Sequence, residues 1–404
     1  METQAIYRDI AKRCGGDVYI GVVGPVRTGK STFIKRFMET LVIPNITSEF
    51  ARERATDELP QSAAGRTIMT TEPKFIPEEA VKISLDDSAT LNVRMIDCVG
   101  YIVPSSLGYI ENEQPRMVVT PWFDKEIPFN LAAEIGTQKV INEHSTIGLV
   151  VTTDGSISDI PREEYEEAEQ RVVNELRQIN KPFVVLLNCT NPSAPAAVSL
   201  RASLEERYGV PVVAVNCLDL GEADIRVILS DVLFQFPVRE VAVSLPGWVT
   251  SLAPDHWLRA SLYDSIRQSA QDVERIGQLK SKITTLSECE YVSRVLVDNI
   301  DLGSGGASVS VDVKNDLFYR ILGEATGLEI PDESALMPCM VELAAVKREY
   351  DKVKCALDEV AATGYGIVMP SLEELSLEEP EIVKQGGRYG VRLKASAPSI
   401  HMIR

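Results

Sequence analysis

The sequence predicts an α/β protein built on an open, mostly parallel β-sheet. Short apolar runs rich in β-branched residues alternate with amphipathic helical stretches over residues 17 to 237. These runs are apolar on both faces, as expected for parallel strands that helices cover on both sides. Regular alternation of strands and helices is typical of an open α/β sheet.

Five strands are predicted in this region: Val18–Val23, Leu91–Asp97, Thr146–Thr153, Pro182–Asn188 and Pro211–Cys217. The predicted helices between them include Lys30 to about Leu41, Arg162–Ile179 and Glu222–Phe234. The second of these helices opens after Pro161 with several glutamates, and acidic residues favour a helix N-terminus.

A second, smaller α+β domain with two long helices is predicted after Val241–Trp257, where Pro246, Gly247 and Pro254 indicate a boundary. We therefore place a first domain at residues 1–240 and a second at residues 241–404. The predicted elements of the second domain are a helix Leu258–Ile283, strands Tyr291–Leu302 and Ala307–Val313, helices Asp316–Thr326 and Ser334–Thr363, and strands Tyr389–Ala395 and Ile400–Ile403. Because the chain ends on a strand, we expect that a further C-terminal part is absent.

The second long helix carries apolar residues at heptad spacing: Val346, Tyr350, Val353, Leu357 and Val360. Two heptads are too few for an autonomous coiled coil. We therefore expect this seam to pack on the neighbouring strands.

Composition excludes several classes of partner. The 404 residues include 41 Lys+Arg and 59 Asp+Glu, for a net charge of -18. This sign disfavours binding to nucleic acid or to a bare anionic membrane. The seven cysteines form no CxxC pair, which favours free thiols in a reducing cytoplasm over a disulfide framework or a zinc site. Without an apolar span or a signal peptide, we expect membrane contact only through an adaptor.

A phosphate-binding loop directly follows the first predicted strand. The loop reads Gly24, Pro25, Val26, Arg27, Thr28, Gly29, Lys30, Ser31 and Thr32, and it fits G-x-x-x-x-G-K-[ST]. The glycines let the backbone wrap phosphate oxygens, which amides at the helix N-terminus hold. Lys30 neutralises the β- and γ-phosphates, and Ser31 offers a hydroxyl to Mg²⁺. The sequence therefore predicts a site for a nucleoside triphosphate with Mg²⁺.

Two further segments make the predicted first domain GTPase-like. Asp97 ends a strand and can hold Mg²⁺ through water, while Gly100 can offer its amide to the γ-phosphate. Between this segment and the P-loop lies Thr67–Glu72, in which Thr70 and Thr71 are both candidates to sense the γ-phosphate and coordinate Mg²⁺. The residues do not rank these two threonines, and an ordinary Thr-rich strand edge explains the segment equally well.

The base-recognition motif of GTPases is missing. Asn188-Cys189-Thr190-Asn191 stand where a GTPase carries Asn-Lys-x-Asp, so the carboxylate that pairs with guanine is absent. We keep Asn188 as a nucleotide-binding candidate and expect ATP rather than GTP. Tyr101 follows Gly100 where many GTPases place a water-orienting Gln or His, so hydrolysis is slow or uses another group such as Thr70 or Thr71.

The whole chain resembles the stage IV sporulation protein A family, as the stretches GVVGPVRTGKSTFIKRFM, TIMTTEPKF, DCVGY and EPEIVKQGGRYGVRLKASAPSIHMI show. The resemblance implies an ATP-hydrolysing scaffold in the mother-cell cytoplasm that self-assembles into the basement layer of the spore coat on the outer forespore membrane. It also implies a small amphipathic membrane-anchoring peptide and other spore coat morphogenetic proteins as partners. Family members carry a further C-terminal domain, which we expect to be absent from this chain. By the same resemblance, Lys30 is the P-loop lysine, Asp97 the Mg²⁺-linked aspartate, and Thr70 and Thr71 the sensor threonines.

A regulatory GTPase switch of the translation-factor-related P-loop class is the alternative function. The missing Asn-Lys-x-Asp motif and the large acidic second domain argue against it. A metabolic phosphotransferase is a third possibility, but the sequence shows no constellation for an acceptor substrate.

Overall fold

The computed structural model describes residues 3–60, 72–85, 89–111, 114–271, 273–370 and 374–404. Two compact units are present, Met1–Val313 and Lys314–Arg404. The first unit holds the predicted P-loop domain and the strands that follow it, and the domain boundary near residue 240 stays a prediction. Within the described residues, no helix is both long enough and apolar enough to cross a bilayer.

The strands of the first unit are β1 Asp17–Val23, β2 Lys74–Leu85, β3 Ala89–Asp97, β4 Ile110–Glu111, β5 Gln114–Pro115, β6 Met117–Thr120, β7 Phe123–Pro128, β8 Ile147–Thr153, β9 Phe183–Asn188, β10 Val212–Val215, β11 Glu240–Ser244, β12 Val292–Asp301 and β13 Gly306–Val313. Its helices are α1 Thr3–Arg13, α2 Lys30–Phe37, α3 Glu49–Asp57, α4 Phe129–Lys139, α5 Glu166–Gln178, α6 Pro195–Tyr208, α7 Glu222–Phe234, α8 Gly247–Thr250, α9 Trp257–Gln271 and α10 Leu279–Thr284.

The central sheet has the strand order β10-β9-β8-β1-β3-β2. All neighbouring strands are parallel except the β2–β3 pair at the edge. The mainly parallel α/β sheet that the sequence predicts is therefore confirmed, and it is consistent with a P-loop fold. Every residue of β8 is buried, with Leu149 and Val151 in one apolar core and Val150 in the core on the opposite face.

Strand β2 is missing from the sequence prediction. Pro77, Glu78 and Glu79 interrupt its apolar pattern, and a proline inside a run argues against a strand in a sheet interior. The strand nevertheless forms because it lies at the edge, with a register irregularity between Ile76 and Val81. Helices α4 and α6 were also not predicted.

The predicted long helix Leu258–Ile283 is wrong, because the chain forms two shorter helices, α9 and α10, in that region. Between them Arg275 is extended (φ −123°, ψ 149°) and forms a β-bridge with Pro237. The Arg275 guanidinium also donates a hydrogen bond of 2.7 Å to Gln235. These long-range contacts outweigh the continuous helical periodicity.

The other predicted strands of this region form a small sheet. Strand β13 pairs parallel with β11 and antiparallel with β12, in the order β11-β13-β12. The predicted runs Tyr291–Leu302 and Ala307–Val313 correspond to β12 and β13.

The second unit contains α11 Asn315–Thr326, α12 Glu333–Thr363, β14 Tyr365–Val368, β15 Ser376–Leu377, β16 Glu381–Gln385, β17 Arg388–Arg392, β18 Ala395–Ser396 and β19 Ile400–Ile403. Helix α12 begins after Asp332, whose side chain accepts a hydrogen bond of 3.0 Å from Ala335 N. It packs on β14, where Ala356 is buried so close to Gly366 that a Cβ there would lie 2.1 Å from Ala356 O.

The expectation that the heptad seam of α12 packs on strands holds only for part of it. Val353 and Val360 are partly covered, next to the buried Ala356. Val346, Tyr350 and Leu357 are exposed. The expectation is wrong for these three because β14 has only four residues, about a third of the length of α12 along its axis.

Candidate nucleotide-binding site

The candidate site lies where the parallel strands of the central sheet end. The P-loop follows β1, Asp97 is the last residue of β3, and Asn188 is the last residue of β9. Carboxyl ends of parallel strands meet at one edge of the sheet, which is where open α/β sheets bind ligands. The register aligns Val22 with Asp97 across the β1–β3 pair. This alignment brings the aspartate next to the start of the P-loop.

The P-loop backbone is tightly enclosed by its neighbours. Gly29, the residue before α2, has φ +93°, and a Cβ there would lie 2.3 Å from Asn188 Nδ2. Arg27 also has a left-handed backbone conformation, with φ +65°, although it is not a glycine. Since α2 begins at Lys30, the first amides of the helix are free of helical hydrogen bonds and can hold phosphate oxygens.

Lys30 is buried at the centre of the loop. Its Nζ donates hydrogen bonds to Pro25 O at 2.6 Å and to Gly24 O at 3.3 Å. Burial lowers the pKa of Lys30, while the nearby Cys98 and Asp97 act in the opposite direction. A desolvated cation held by two carbonyl oxygens is well placed to bind an anion such as a phosphate.

Ser31 and Asp97 form the second polar pair of the site. Ser31 Oγ donates to Asp97 Oδ2 at 2.6 Å, across 66 positions of sequence. Asp97 Oδ1 is buried and has no hydrogen-bond partner among the described residues. Burial raises the pKa of the Asp97 carboxyl, against the effect of the Ser31 hydrogen bond. A hydroxyl beside a carboxylate with one unused oxygen fits hydrated Mg²⁺, which prefers oxygen ligands and retains several waters.

The segment after β3 is bonded directly to the P-loop. Val26 N donates to Tyr101 O at 2.9 Å, and Tyr101 N donates to Gly24 O at 3.3 Å. Gly100 has φ +90°, and a Cβ there would lie 2.1 Å from Gly24 O. This close approach places the Gly100 backbone beside the loop. Its contact with the γ-phosphate stays a prediction.

Tyr101 does not direct its phenol towards the P-loop. The ring is buried, and its hydroxyl donates to Glu175 of α5. The Arg171 guanidinium lies over the ring, 4.5 Å from its centroid. In this arrangement the hydroxyl is engaged with α5. That a group other than Tyr101 orients the attacking water stays a prediction.

Asn188 supports the P-loop from behind. Its Nδ2 donates to Thr28 O at 3.0 Å, and its Oδ1 accepts a hydrogen bond from Cys217 N at 3.1 Å. Thr28 Oγ1 in turn donates to Pro25 O at 3.0 Å. Both polar atoms of the Asn188 amide are therefore used within the protein. A direct contact between Asn188 and a nucleotide stays a prediction.

The polar side chains in the loops after β8 and β9, where a nucleotide base is expected, form hydrogen bonds within those loops. Asp154 Oδ1 accepts hydrogen bonds from Ser156 N at 2.9 Å and from Ser156 Oγ at 2.6 Å. Thr190 N donates to Ser156 Oγ at 3.0 Å, which joins the ends of β8 and β9. Asn191 Oδ1 accepts from Ser193 N at 3.2 Å. Sequence analysis did not identify this connection between the two loops.

A buried ion pair behind the site was also missed. Glu169 is fully buried and pairs with Arg162 at 2.8 Å, while the hydroxyls of Tyr208 and Thr152 donate to it. This network holds the connection between β8 and α5, whose Ile157 lies 3.8 Å from a Cβ position at Gly29. The sequence contains a signal, since Glu169 shares a helical face with apolar Val172, Val173 and Leu176.

The sequence predicts a sensor segment at Thr67–Glu72. Thr70 and Thr71, with the rest of residues 61–71, lie outside the described residues. Their predicted roles in sensing the γ-phosphate, and that of Thr71 at Mg²⁺, stay predictions.

Comparisons with known proteins cover the whole chain. Residues 1–237 match the family model of the stage IV sporulation protein A ATPase domain, and residues 238–404 match that of its middle domain. Stage IV sporulation protein A of Bacillus anthracis is 51% identical over 404 residues, covering 100% of this chain and 82% of that protein. The protein of the same name from Bacillus subtilis (strain 168) is 50% identical with the same coverage. That of Clostridioides difficile (strain 630) is 50% identical over 399 residues, or 99% of this chain and 81% of that protein.

Proposed function

The chain belongs to the stage IV sporulation protein A family, and on that premise we propose that it is an Mg²⁺-dependent ATPase that assembles with copies of itself into a spore-coat scaffold. The family supports a role in sporulation and an ATPase domain that binds and hydrolyses nucleotide. The observation that carries the enzymatic part is the convergence of Lys30 and the Ser31–Asp97 pair at the P-loop.

Each residue of the site has a separate role in ATP binding and hydrolysis. The amides at the start of α2 hold phosphate oxygens, and Lys30 exchanges its two carbonyl partners for the β- and γ-phosphates. Ser31 and Asp97 would hold Mg²⁺, which when bound neutralises charge that develops on the phosphates. The Gly100 amide, fixed beside Gly24, donates to the γ-phosphate. Thr70 or Thr71 orients the attacking water, because the Tyr101 hydroxyl is engaged with Glu175.

ATP is the proposed nucleotide. Residues 188–191 contain no carboxylate that could pair with the N1 and N2 groups of guanine. Asp154, which follows the neighbouring strand β8, already accepts two hydrogen bonds from Ser156. Hydrolysis of ATP and GTP, measured side by side at equal concentrations, should show preference for ATP. Equal or faster turnover of GTP would refute this and would show that another group recognises the base.

The proposed location is the mother-cell cytoplasm at the surface of the forespore, with coat morphogenetic proteins and a small amphipathic membrane-anchoring peptide as partners. The net charge of -18 opposes direct binding to anionic lipid, so an adaptor is needed. The purified chain should not sediment with plain anionic liposomes at low or high salt. Strong binding that persists in high salt would contradict the need for an adaptor.

Self-assembly is proposed to depend on hydrolysis, through loops that the γ-phosphate holds and its loss releases. Sedimentation with ATP, with a non-hydrolysable analogue and with the Lys30→Ala variant tests this link. We expect pelleting only where ATP is hydrolysed. Equal pelleting in all three conditions would show that assembly does not depend on ATP hydrolysis at the P-loop.

A further inference from the structure

Helix α12 exposes a continuous apolar surface in the second unit. Four of its exposed large apolar side chains have exposed fractions of 42% for Leu343, 59% for Val346, 50% for Tyr350 and 42% for Leu357. These side chains follow one another along the same side of the helix. A run of large apolar groups left in water is typical of a surface that another protein covers.

The spacing of the apolar positions is that of a coiled coil, and it extends further than the sequence prediction. Positions separated alternately by three and four residues are Leu336, Cys339, Leu343, Val346, Tyr350, Val353, Leu357 and Val360. In heptad terms, Leu343, Tyr350 and Leu357 occupy a positions, and Val346 and Val353 occupy d positions. The seam therefore spans more than three heptads rather than two.

The charges beside the seam indicate what covers it. The g positions carry Glu342 and Glu349, and the e positions carry Lys347 and Lys354. In a parallel in-register pair, each g residue faces the e residue five positions later on the other helix. Glu342 then meets Lys347, and Glu349 meets Lys354, in both directions. An antiparallel pair would instead bring glutamate against glutamate and lysine against lysine. The complementarity therefore selects a second copy of this helix in parallel orientation.

Local contacts on α12 do not oppose this pairing. Glu349 bonds Lys352 at 2.9 Å, and Lys347 bonds Asp351 at 3.6 Å. Both pairs are exposed, and such surface pairs contribute little to stability, so their exchange for contacts between copies is inexpensive. In the last heptad the g position is Ala356, where α12 packs on β14, and it requires no charged partner.

We propose that α12 is a contact between copies of this chain, a parallel in-register coiled coil formed through the seam from Leu336 to Val360. This inference rests on the proposed self-assembly and names one of its contacts. It does not require nucleotide. Leucine at a with β-branched valine at d favours more than two strands, so the count of chains is part of the test.

The chain contains its own probe of register. Cys339 lies at a d position, so Cys339 of neighbouring copies meet in a parallel in-register seam. Cys355 lies at an f position, on the outside of the helix, and is exposed. Mild oxidation of the full chain should therefore give a disulfide-linked dimer that Cys339→Ser abolishes and Cys355→Ser leaves unchanged. Oxidation that produces no dimer dependent on Cys339 would overturn the proposed register. A Val346→Cys variant in the Cys339→Ser background repeats the test at the next d position.

Charge reversal tests the orientation. The g-site double variant (Glu342→Lys with Glu349→Lys) and the e-site double variant (Lys347→Glu with Lys354→Glu) each place like charges across a parallel seam. Each alone should raise the concentration needed for association on the order of a hundredfold, and an equimolar mixture should restore it. Light scattering after size exclusion counts the chains, and circular dichroism checks that α12 is intact. Double variants that associate as the wild type does would overturn parallel pairing.

Failure of this contact and failure of self-assembly are distinguishable. If the full chain still pellets with ATP while oxidation and scattering show no α12 pairing, the contact is wrong and self-assembly stands. If the Cys339 disulfide forms and no pellet appears even when ATP is added, the coiled coil stands and the ATP-driven scaffold is wrong. A chain that remains monomeric at all accessible concentrations, with and without ATP, overturns both.

Discussion

Replacement of Asn188 by alanine should destabilise the protein and loosen its P-loop at the same time. The Asn188 amide connects the Thr28 carbonyl, 3.0 Å from Nδ2, with the Cys217 amide, 3.1 Å from Oδ1. Thr28 and Cys217 are fully buried, so bulk solvent does not reach either group.

The expected loss follows from these two contacts. A buried donor or acceptor left without a partner costs about 1–3 kcal/mol. Two such groups give roughly 2–6 kcal/mol, a large fraction of the total stability of about 5–15 kcal/mol that is usual for a protein. Because Thr28 belongs to the P-loop, its release should also weaken ATP binding by about tenfold, the effect of one lost hydrogen bond.

Urea denaturation with linear extrapolation measures the stability, and nucleotide titration measures the affinity. Asn191→Ala is the matched control, since Asn191 lies in the same loop but is exposed and accepts one hydrogen bond from Ser193. Its stability should change by no more than about 0.5 kcal/mol. If Asn188→Ala matched this control in both stability and ATP affinity, the assignment of Asn188 as a support of the P-loop would be refuted.

Three further outcomes are expected. Lys30→Ala should weaken binding of ATP, because it removes the cation that faces the β- and γ-phosphates, and undiminished binding in titration would contradict this. Thr70→Ala or Thr71→Ala should lower turnover while binding stays nearly unchanged, since the predicted hydroxyl acts mainly in the transition state; normal turnover in both variants would remove the sensor assignment. Hydrogen bonds from Ser304 lower the pKa of Asp301 from 3.8 to about 2, so its contribution to stability is present above about pH 4 and is lost as the pH falls towards 2. The stability difference between wild type and Asp301→Asn should therefore shrink over that interval in denaturation experiments, and a constant difference would show that the shift is absent.

The parts of the site that were predicted from sequence are encoded in short segments. The P-loop is one such segment, because glycines, a lysine and a serine at fixed spacing are needed for backbone to enclose a phosphate. Asp97 was found for a similar reason, as a carboxylate at the end of an apolar strand. The contact of 2.6 Å between Ser31 and Asp97 depends in addition on the β1–β3 register, which aligns Val22 with Asp97.

Other features depend on partners distant in sequence. Asn188 occupies the first position of the expected base motif, yet its amide forms hydrogen bonds with Thr28 and Cys217, and no local sequence pattern predicts those partners. The residues before Glu169 are mostly acidic, as at the solvent-exposed N-terminus of a helix. Glu169 is nevertheless buried against Arg162 and Tyr208. In both cases the hydrogen-bond partners of a polar side chain are distant in sequence, and only folding brings them into contact.

The amino-acid sequence thus established the α/β class, the nucleotide loop and the heptad spacing of α12, because each arises from residues a few positions apart. Tertiary structure decided that the Leu258–Ile283 helix is interrupted, since Arg275 pairs with Pro237 instead of continuing the helix. It also decided which side of α12 stays exposed, since β14 covers Ala356 and leaves Val346 in solvent. The spacing of apolar residues shows that one face of a helix is apolar. Which surface buries that face depends on contacts between segments far apart in the chain.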